Sequence, residues 1–193
     1  LQGEGWILPW TMSLRFQVTN KSGAGNTQTL LTPCFGCYKS LQVHTGQVLA
    51  ERLDSYNRLY SLIRETFAPT DTQNELHISS GKKGDAIEPN ESVMYQLPVM
   101  SGLTMTSGKA WPLHKCPITL DWSLVDSSAQ WLSGTSSSFE ISQVCVEVTS
   151  IVVDPSIDEA ITRKLLSGGN LNIPITSYFV SSPMVDHANT SIS

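Results

Sequence analysis

The chain has 193 residues, of which 15% are charged and 40% are hydrophobic, and its formal net charge is −5. This length allows a single domain with a substantial core, and the hydrophobic content is too high for an intrinsically disordered chain. The acidic balance, without clusters of Lys and Arg, argues against direct nucleic-acid binding. No apolar run is long enough for a transmembrane segment, and four cysteines are too few for a disulfide scaffold.

The first part of the chain is predicted to be β-rich. Apolar residues at every second position predict a half-buried strand at Met12, Leu14, Phe16 and Val18. Turn-forming residues at 20–26 end this strand. Shorter strands are predicted near 27–32 and 37–44.

The strongest helical pattern follows a turn at Thr45 and Gly46. Apolar residues spaced three or four apart form one stripe: Leu49, Leu53, Tyr56, Tyr60, Ile63 and Phe67. This spacing predicts a long amphipathic helix at about 48–67, which packs against an edge or the base of a β-sandwich. Three arginines on its charged face, Arg52, Arg58 and Arg64, are candidates for contacts with a neighbouring subunit.

The middle of the chain alternates between strands and polar connections. Long loops are predicted at 68–92 and 126–138, and loops of this length are often functional or mobile. The clearest strand pattern is at 118–124. The run from Phe139 to Val153 is also predicted to be β, with a bulge where its apolar phase shifts near Val144 and Cys145.

A second helix is predicted at about 156–167. Ser156 and Glu159 have the spacing of a capping box, and Ile157, Ile161 and Leu165 would form the buried side. The glycines at 168 and 169 would end the helix. Leu171, Ile173 and Ile175 then predict a last strand that extends towards residue 180.

The motifs that usually carry chemistry are weak. Cys34 and Cys37 have the spacing of half a zinc site or a redox pair, and Cys116 with His114 or His44 would have to complete a metal site. No second C-x-x-C is present, so small buried thiols around a turn are the favoured interpretation, although the redox state of the pair is undecided. No phosphate loop or G-x-S-x-G motif matches. We therefore predict no catalytic, cofactor-binding or metal-binding residue, and no enzymatic activity.

Two tryptophans next to turns or loops have two open interpretations. Trp111 and Trp131 either pack in the interior or present their rings to a sugar or to another subunit. They are therefore added to the three arginines as candidate interface residues.

Three stretches together resemble the first half of a major capsid protein of the double jelly-roll type, found in adenovirus-like, tailless-phage, virophage and polinton-like viruses. In 41–63, a strand with a VHTG turn enters ERLDSYNRLYSLI. The second stretch, 97–124, reads LPVMSGLTMTSGKAWPLHKCPITLDWSL and resembles short strands joined by Ser-Gly turns. In 141–178, a strand and a helix precede LNIPITSY.

This resemblance implies an all-β fold, an antiparallel jelly-roll β-sandwich with two flanking helices. The chain is then a single jelly-roll domain spanning 1–193, or the N-terminal half of a longer double jelly-roll chain. The implied function is structural: trimeric capsomers that form an icosahedral shell. The implied partners are copies of the chain and other capsid proteins, in the virion and in the host cell during assembly. The alternative is a carbohydrate-binding or cell-surface β-sandwich that uses Trp111 or Trp131 as a platform.

Overall fold

A computed structural model describes residues 1, 5–66, 69, 78–105, 108–133, 138–170 and 172–178, with the side chain of residue 65 left out. Within these residues the protein is mostly β-strand, with few helices. Every strand pair is antiparallel. The structure is therefore compatible with an all-β sandwich.

The strands of the described part are named in chain order. They are β1 Trp6–Ile7, β2 Ser13–Asn20, β3 Gln28–Leu30, β4 Tyr38–Thr45, β5 Val48–Asp54, β6 Ala86–Ile87, β7 Ser92–Pro98, β8 Trp111–Pro112, β9 Ile118–Leu124, β10 Leu132–Ser133, β11 Phe139–Glu147 and β12 Ser150–Ile151. The two loops predicted at 68–92 and 126–138 thus contain short strands, β6 and β10, although parts of both loops lie outside the described residues.

The helical elements are short, with one exception. Within the described residues, the α-helices include α1 Tyr56–Tyr60, which continues as a π-helix at Ser61–Thr66, α2 Gly102–Met105 and α3 Pro155–Leu166. Residues 78–80 are also helical. Single 3₁₀ turns occur at Pro9–Thr11, Cys34–Cys37 and Ser128–Gln130.

Four three-stranded sheets are formed, in the orders β11-β2-β7, β5-β4-β9, β12-β1-β8 and β10-β3-β6. The first two contain the long strands and pack around a common core. Leu14, Phe16 and Val18 of β2 are inaccessible to solvent, as their alternation predicts. The ring of Phe16 meets the ring of Tyr38, on β4, edge to face at a centroid distance of 5.4 Å. This contact joins the two main sheets.

The helix predicted at 48–67 is wrong over its first half. Val48–Asp54 is strand β5, which forms a hairpin with β4, and the helix begins only at Tyr56. Ser55 lies between them with a left-handed φ of 53°. In β5 the alternate residues Glu51 and Leu53 are buried. Pairing with β4 therefore overrides the helical spacing of the leucines, and the last residue of the predicted stripe, Phe67, lies outside the described residues.

Helix α3 matches the predicted position of the second helix, but its surroundings differ. Its N-cap is Asp154, whose side chain accepts a hydrogen bond from the backbone N–H of Ser156 at 2.8 Å, so the predicted capping box is absent from the described contacts. No residue of α3 is buried, and Ile157 is 51% exposed. The predicted buried stripe is thus an exposed or half-exposed one.

Two further predictions concern the end of the chain. A bulge is confirmed in β11, where the register with β2 shifts between Ser142 and Cys145 and Gln143 adopts a left-handed φ of 51°. The last strand predicted at 171–180 is absent from 172–178, and its remaining residues lie outside the described part. Segment 172–178 instead lies against the sandwich without regular secondary structure, and the contacts described for it are mainly through side chains.

Candidate functional site

The two candidate tryptophans are core residues. Trp111 is 9% exposed, and its indole N–H donates to the carbonyl of Cys116 at 2.7 Å. Trp131 is fully buried and meets the ring of Phe139 edge to face at 5.2 Å. Rings with almost no accessible area cannot serve as a platform on which a sugar stacks. Of the two interpretations left open by the sequence, the structure shows interior packing.

Arg52 lies on the exposed side of β5, not on a helix. Its Nε donates to Asp54 Oδ1 at 3.1 Å, and both side chains are more than half exposed. Ion pairs of this kind contribute about 0–1 kcal/mol to stability because water screens them. Arg52 is exposed because it alternates with the buried residues Glu51 and Leu53 along strand β5.

Arg58 lines an open cavity of about 630 Å³, to which both polar and apolar side chains contribute. The cavity lies between the Cys34–Cys37 turn, α1 and the Ser128–Gln130 turn, and is lined by Thr32, Phe35, Gly36, Asn57, Arg58, Ser61, Leu62, Thr66 and Gln130. No described side chain forms an ion pair with Arg58. The cavity thus combines a guanidinium group with amide and hydroxyl groups, which suits a polar or anionic ligand.

One wall of this cavity requires a glycine. A Cβ added at Gly36 would lie 1.9 Å from Thr32 Oγ1 and 3.0 Å from Trp131 Cβ. Close packing against Thr32 and Trp131 therefore leaves no room for a side chain at Gly36, between the two cysteines. Cys34 and Cys37 on either side are free and buried, and burial raises the pKa of both thiols. The prediction of small buried thiols around a turn is confirmed.

Arg64, the third candidate arginine, is directed towards the core. Its Nε is buried and has no hydrogen-bond partner among the described atoms. Burial raises the pKa of Tyr56 and Tyr60, and the nearby Arg64 charge acts in the opposite direction on both phenols. The three arginines therefore occupy three different settings instead of one charged helix face.

Sequence reasoning missed an exposed apolar region that we call the arm, residues 152–170 and 172–178. Its large exposed hydrophobic residues are Val152, Ile157, Leu165, Leu166 and Ile175. Val152 is fully exposed and Leu166 is 84% exposed. The helical spacing in α3 suggested a buried face, because spacing alone does not say whether a partner surface is present.

Among the described residues, two carboxylates attach the arm to the sandwich, and the first is Asp158. Its carboxylate accepts from Trp6 Nε1 at 3.2 Å and from Lys115 Nζ at 2.9 Å, and lies 3.2 Å from His114 Nε2. The hydrogen bond from Lys115 lowers the pKa of Asp158 below its ordinary value. This carboxylate links α3 to strand β1 and the turn after β8.

The second carboxylate is Glu51, which is only 4% exposed. One of its oxygens accepts from Ser177 Oγ at 2.5 Å and the other from the backbone N–H of Gly102 at 2.8 Å. A Cβ at Gly102 would lie 2.6 Å from the carbonyl oxygen of Thr176. The helix predicted at 48–67 would place Glu51 away from its apolar stripe, on the solvent side. Its alternation with Leu53 was the signal that would have indicated a buried position.

No protein-family model and no curated protein matches the sequence. The described residues contain no group of three or more side chains placed to hold a metal ion. No helix in the described ranges has the length and apolar character needed to cross a membrane.

Proposed function

We propose that the chain is a viral major capsid protein that self-assembles into trimeric capsomers of an icosahedral shell. The proposal combines the three stretches that resemble double jelly-roll capsid proteins with one observation on the structure. That observation is the arm, whose large apolar side chains are left uncovered by the antiparallel sandwich.

Exposed apolar surface of this kind favours association. Burying a large aliphatic side chain that was exposed contributes about 1.5–3 kcal/mol. Five such residues lie in the arm, and Val48 and Leu49 are exposed at the tip of the β4–β5 hairpin. Contacts with other copies would bury several of these at once, and repetition of one contact whose rotation closes gives a ring such as a trimer.

Other features of the proposal follow from the resemblance. The two main sheets belong to a jelly roll, and α1 and α3 flank it. The partners are copies of this chain and other capsid proteins, in the virion and in the host cell during assembly. The role is structural, without an enzymatic reaction, a cofactor or direct nucleic-acid binding, and the acidic net charge of −5 agrees with the last point.

Size-exclusion chromatography with light scattering, followed by electron microscopy, tests this proposal. We expect trimers that grow into larger assemblies as the protein concentration rises. Leu166→Ser and Ile157→Ser should shift the distribution towards single chains. A protein that stays strictly monomeric at high concentration would contradict the proposal.

The cavity lined by Arg58 supports a second candidate function, a carbohydrate-binding β-sandwich. Guanidinium, amide and hydroxyl groups around one cavity can bind the hydroxyl and carboxylate groups of an acidic sugar. Glycan-array binding that is lost in Arg58→Ala, and kept in the control Arg52→Ala, would favour this function. Binding that is absent from the unaltered chain would rule it out for the glycans tested.

A further inference from the structure

We call the end of the arm, residues 172–178, the clasp. It contacts the sandwich mainly through its side chains. Its backbone makes no hydrogen bond to the backbone of the other described residues. Its contacts are the bond from Ser177 to Glu51, the contact of Tyr178 Oη with Met105 Sδ at 3.4 Å, and packing of Ile173 and Tyr178 against the core. Side chains, rather than a strand ladder, thus decide where the clasp lies.

The receiving surface, in contrast, is specific. Glu51 is buried and presents one oxygen to the Ser177 hydroxyl. Gly102 leaves the space that the Thr176 carbonyl fills. A cavity of about 220 Å³ beside them is lined by residues from both sides of the contact: Val43, Thr45, Ala50, Glu51, Leu103, Trp111, Ile173 and Ile175. We call the surface of β4, β5, α2 and β8 that carries Glu51, Gly102 and one wall of this cavity the slot.

The part of the arm that precedes the clasp, helix α3, is only weakly attached to the sandwich. Helix α3 contributes no buried residue, and the polar side-chain bonds that tie it to the sandwich, among the described residues, all end on Asp158. Helix α3 ends in a closed cap, in which the N–H groups of Gly168 and Gly169 donate to the carbonyls of Leu165 and Lys164, and Gly168 has the left-handed φ of 81° that such a cap needs. Asn170 follows the cap, is exposed, and forms no backbone hydrogen bond with the other described residues. A change of backbone direction at Asn170 would move the clasp without disturbing the anchor at Asp158.

We infer that the clasp is exchanged between copies, so that residues 172–178 of one chain occupy the slot formed by Glu51 and Gly102 of a second chain. This inference rests on the proposed function, since it names the contact through which copies join. Exchange reproduces every contact of the clasp seen within one chain, so it requires no new complementary surface. It also brings the exposed apolar residues of the arm alongside a second sandwich.

The occupant is therefore a second copy of this chain. A foreign segment would need a hydroxyl for Glu51, a carbonyl group against Gly102 and apolar side chains for the cavity. The clasp has all three in the right order. A high local concentration of copies, as in an assembling trimer, favours exchange because the same bonds then link subunits.

Cross-linking of co-expressed variants tests the inference. Ala50→Cys and Ile175→Cys alter two side chains that line the cavity and do not take part in the bond between Glu51 and Ser177. The two full-length variants would carry different affinity tags, and the assembled protein would be treated with a short bismaleimide. We expect a covalent dimer that carries both tags, several-fold above the background from native thiols when each variant is paired with the unaltered chain.

Two controls make the result decisive. The double variant Ala50→Cys with Ile175→Cys shows that the positions can be bridged, and Met105→Cys with Tyr178→Cys repeats the test at a second contact. Lys39→Cys with Asp126→Cys, a surface pair joined at 2.7 Å within the sandwich, should cross-link within one chain and give no mixed dimer.

The exchange would be overturned if, in the assembled protein, the cysteine pairs 50/175 and 105/178 cross-link only within one chain. The capsid proposal would then still stand. The same holds if neither clasp pair cross-links in the assembly while the Lys39 and Asp126 pair does, because the clasp then occupies no such slot. A chain that remains monomeric would contradict both proposals.

Discussion

Strand β2 and helix α3 carry similar apolar repeats and use them differently. In β2, the residues at every second position are inaccessible to solvent, and Phe16 meets Tyr38 across the sandwich. In α3, apolar residues recur at four-residue intervals, yet none is buried. The two main sheets are therefore held together by a buried core, whereas α3 is attached by a few polar contacts through Asp158. An amphipathic pattern shows that a surface prefers to be covered, and it does not show which molecule covers it.

The largest expected effect is in the two main sheets. Phe16→Ala removes a fully buried ring between the two sheets, and such truncations cost about 3–5 kcal/mol. Urea unfolding followed by tryptophan fluorescence would measure the loss. Met94→Ala on the neighbouring strand β7 is the control, because Met94 is exposed and its loss should change stability by less than about 0.5 kcal/mol. Equal effects of the two variants would mean that the sheets do not pack through Phe16.

Glu51 links the two regions, so its removal should have an intermediate effect. Glu51→Ala removes the acceptor of Gly102 and Ser177, and leaving the buried N–H of Gly102 unsatisfied costs about 1–3 kcal/mol. Ser177→Ala removes only one of the two bonds and should cost less. Urea unfolding gives the stability, and hydrogen exchange of residues 172–178 shows whether the clasp loosens. A clasp that is equally protected in both variants and in the unaltered chain would refute this role.

The anchor at Asp158 should depend on acid. Lys115 lowers the folded-state pKa of this carboxyl, so the ionised form stabilises the folded protein at neutral pH. This contribution is present above the unfolded pKa of about 3.9 and is lost as the pH falls through the lower folded value. Unfolding midpoints recorded between about pH 7 and 2 should therefore fall less in Asp158→Asn than in the unaltered chain.

Asp154 provides the control for that titration. Its pKa is also lowered, by hydrogen bonds from Ser156 at the start of α3, but it does not contact the sandwich through the bonds described above. Asp154→Asn keeps a good N-cap, so α3 should stay attached in this variant. Release of α3 from Trp6, visible as a change in tryptophan fluorescence, is expected only for Asp158→Asn.

The smallest effect on folding is expected from the exposed side of the arm. Leu166→Ser replaces a residue that is 84% exposed, and its effect on the stability of a single chain should stay within about 0.5 kcal/mol. Light scattering should nevertheless show a lower average mass at high concentration. A large loss of stability in dilute solution would mean that the arm belongs to the core of one chain.

The elements predicted correctly from the sequence are those whose patterns depend on local geometry. Period-two alternation located β2 and β9, and the phase shift near Val144 located the bulge, because these patterns depend on local geometry. At 48–54 the leucine spacing fitted a helix, but pairing with β4 decided the structure, and pairing between distant residues is not visible in local spacing. The position of Glu51 in the core follows from that pairing.

The candidate site was only partly predictable for the same reason. Arg58 is exposed and lines a cavity, but the cavity depends on segments far apart in sequence, including Gly36 and Gln130. Trp131 lies next to a loop in the sequence, and this position suggested that its side chain could be exposed. In the structure its side chain packs against Gly36 and Phe139. Neighbourhood in sequence is a weak guide to burial for large aromatic residues.

The bulge at Gln143 has a consequence for how copies of this protein avoid one another. Strand β11 is at the edge of its sheet, with β2 on its other side. A regular edge strand offers an uninterrupted row of peptide groups on which further strands can add, and this is a common route to fibrous aggregates. The left-handed residue at 143 interrupts that row and increases the local twist. The edge along β11 is thereby protected against endless sheet extension.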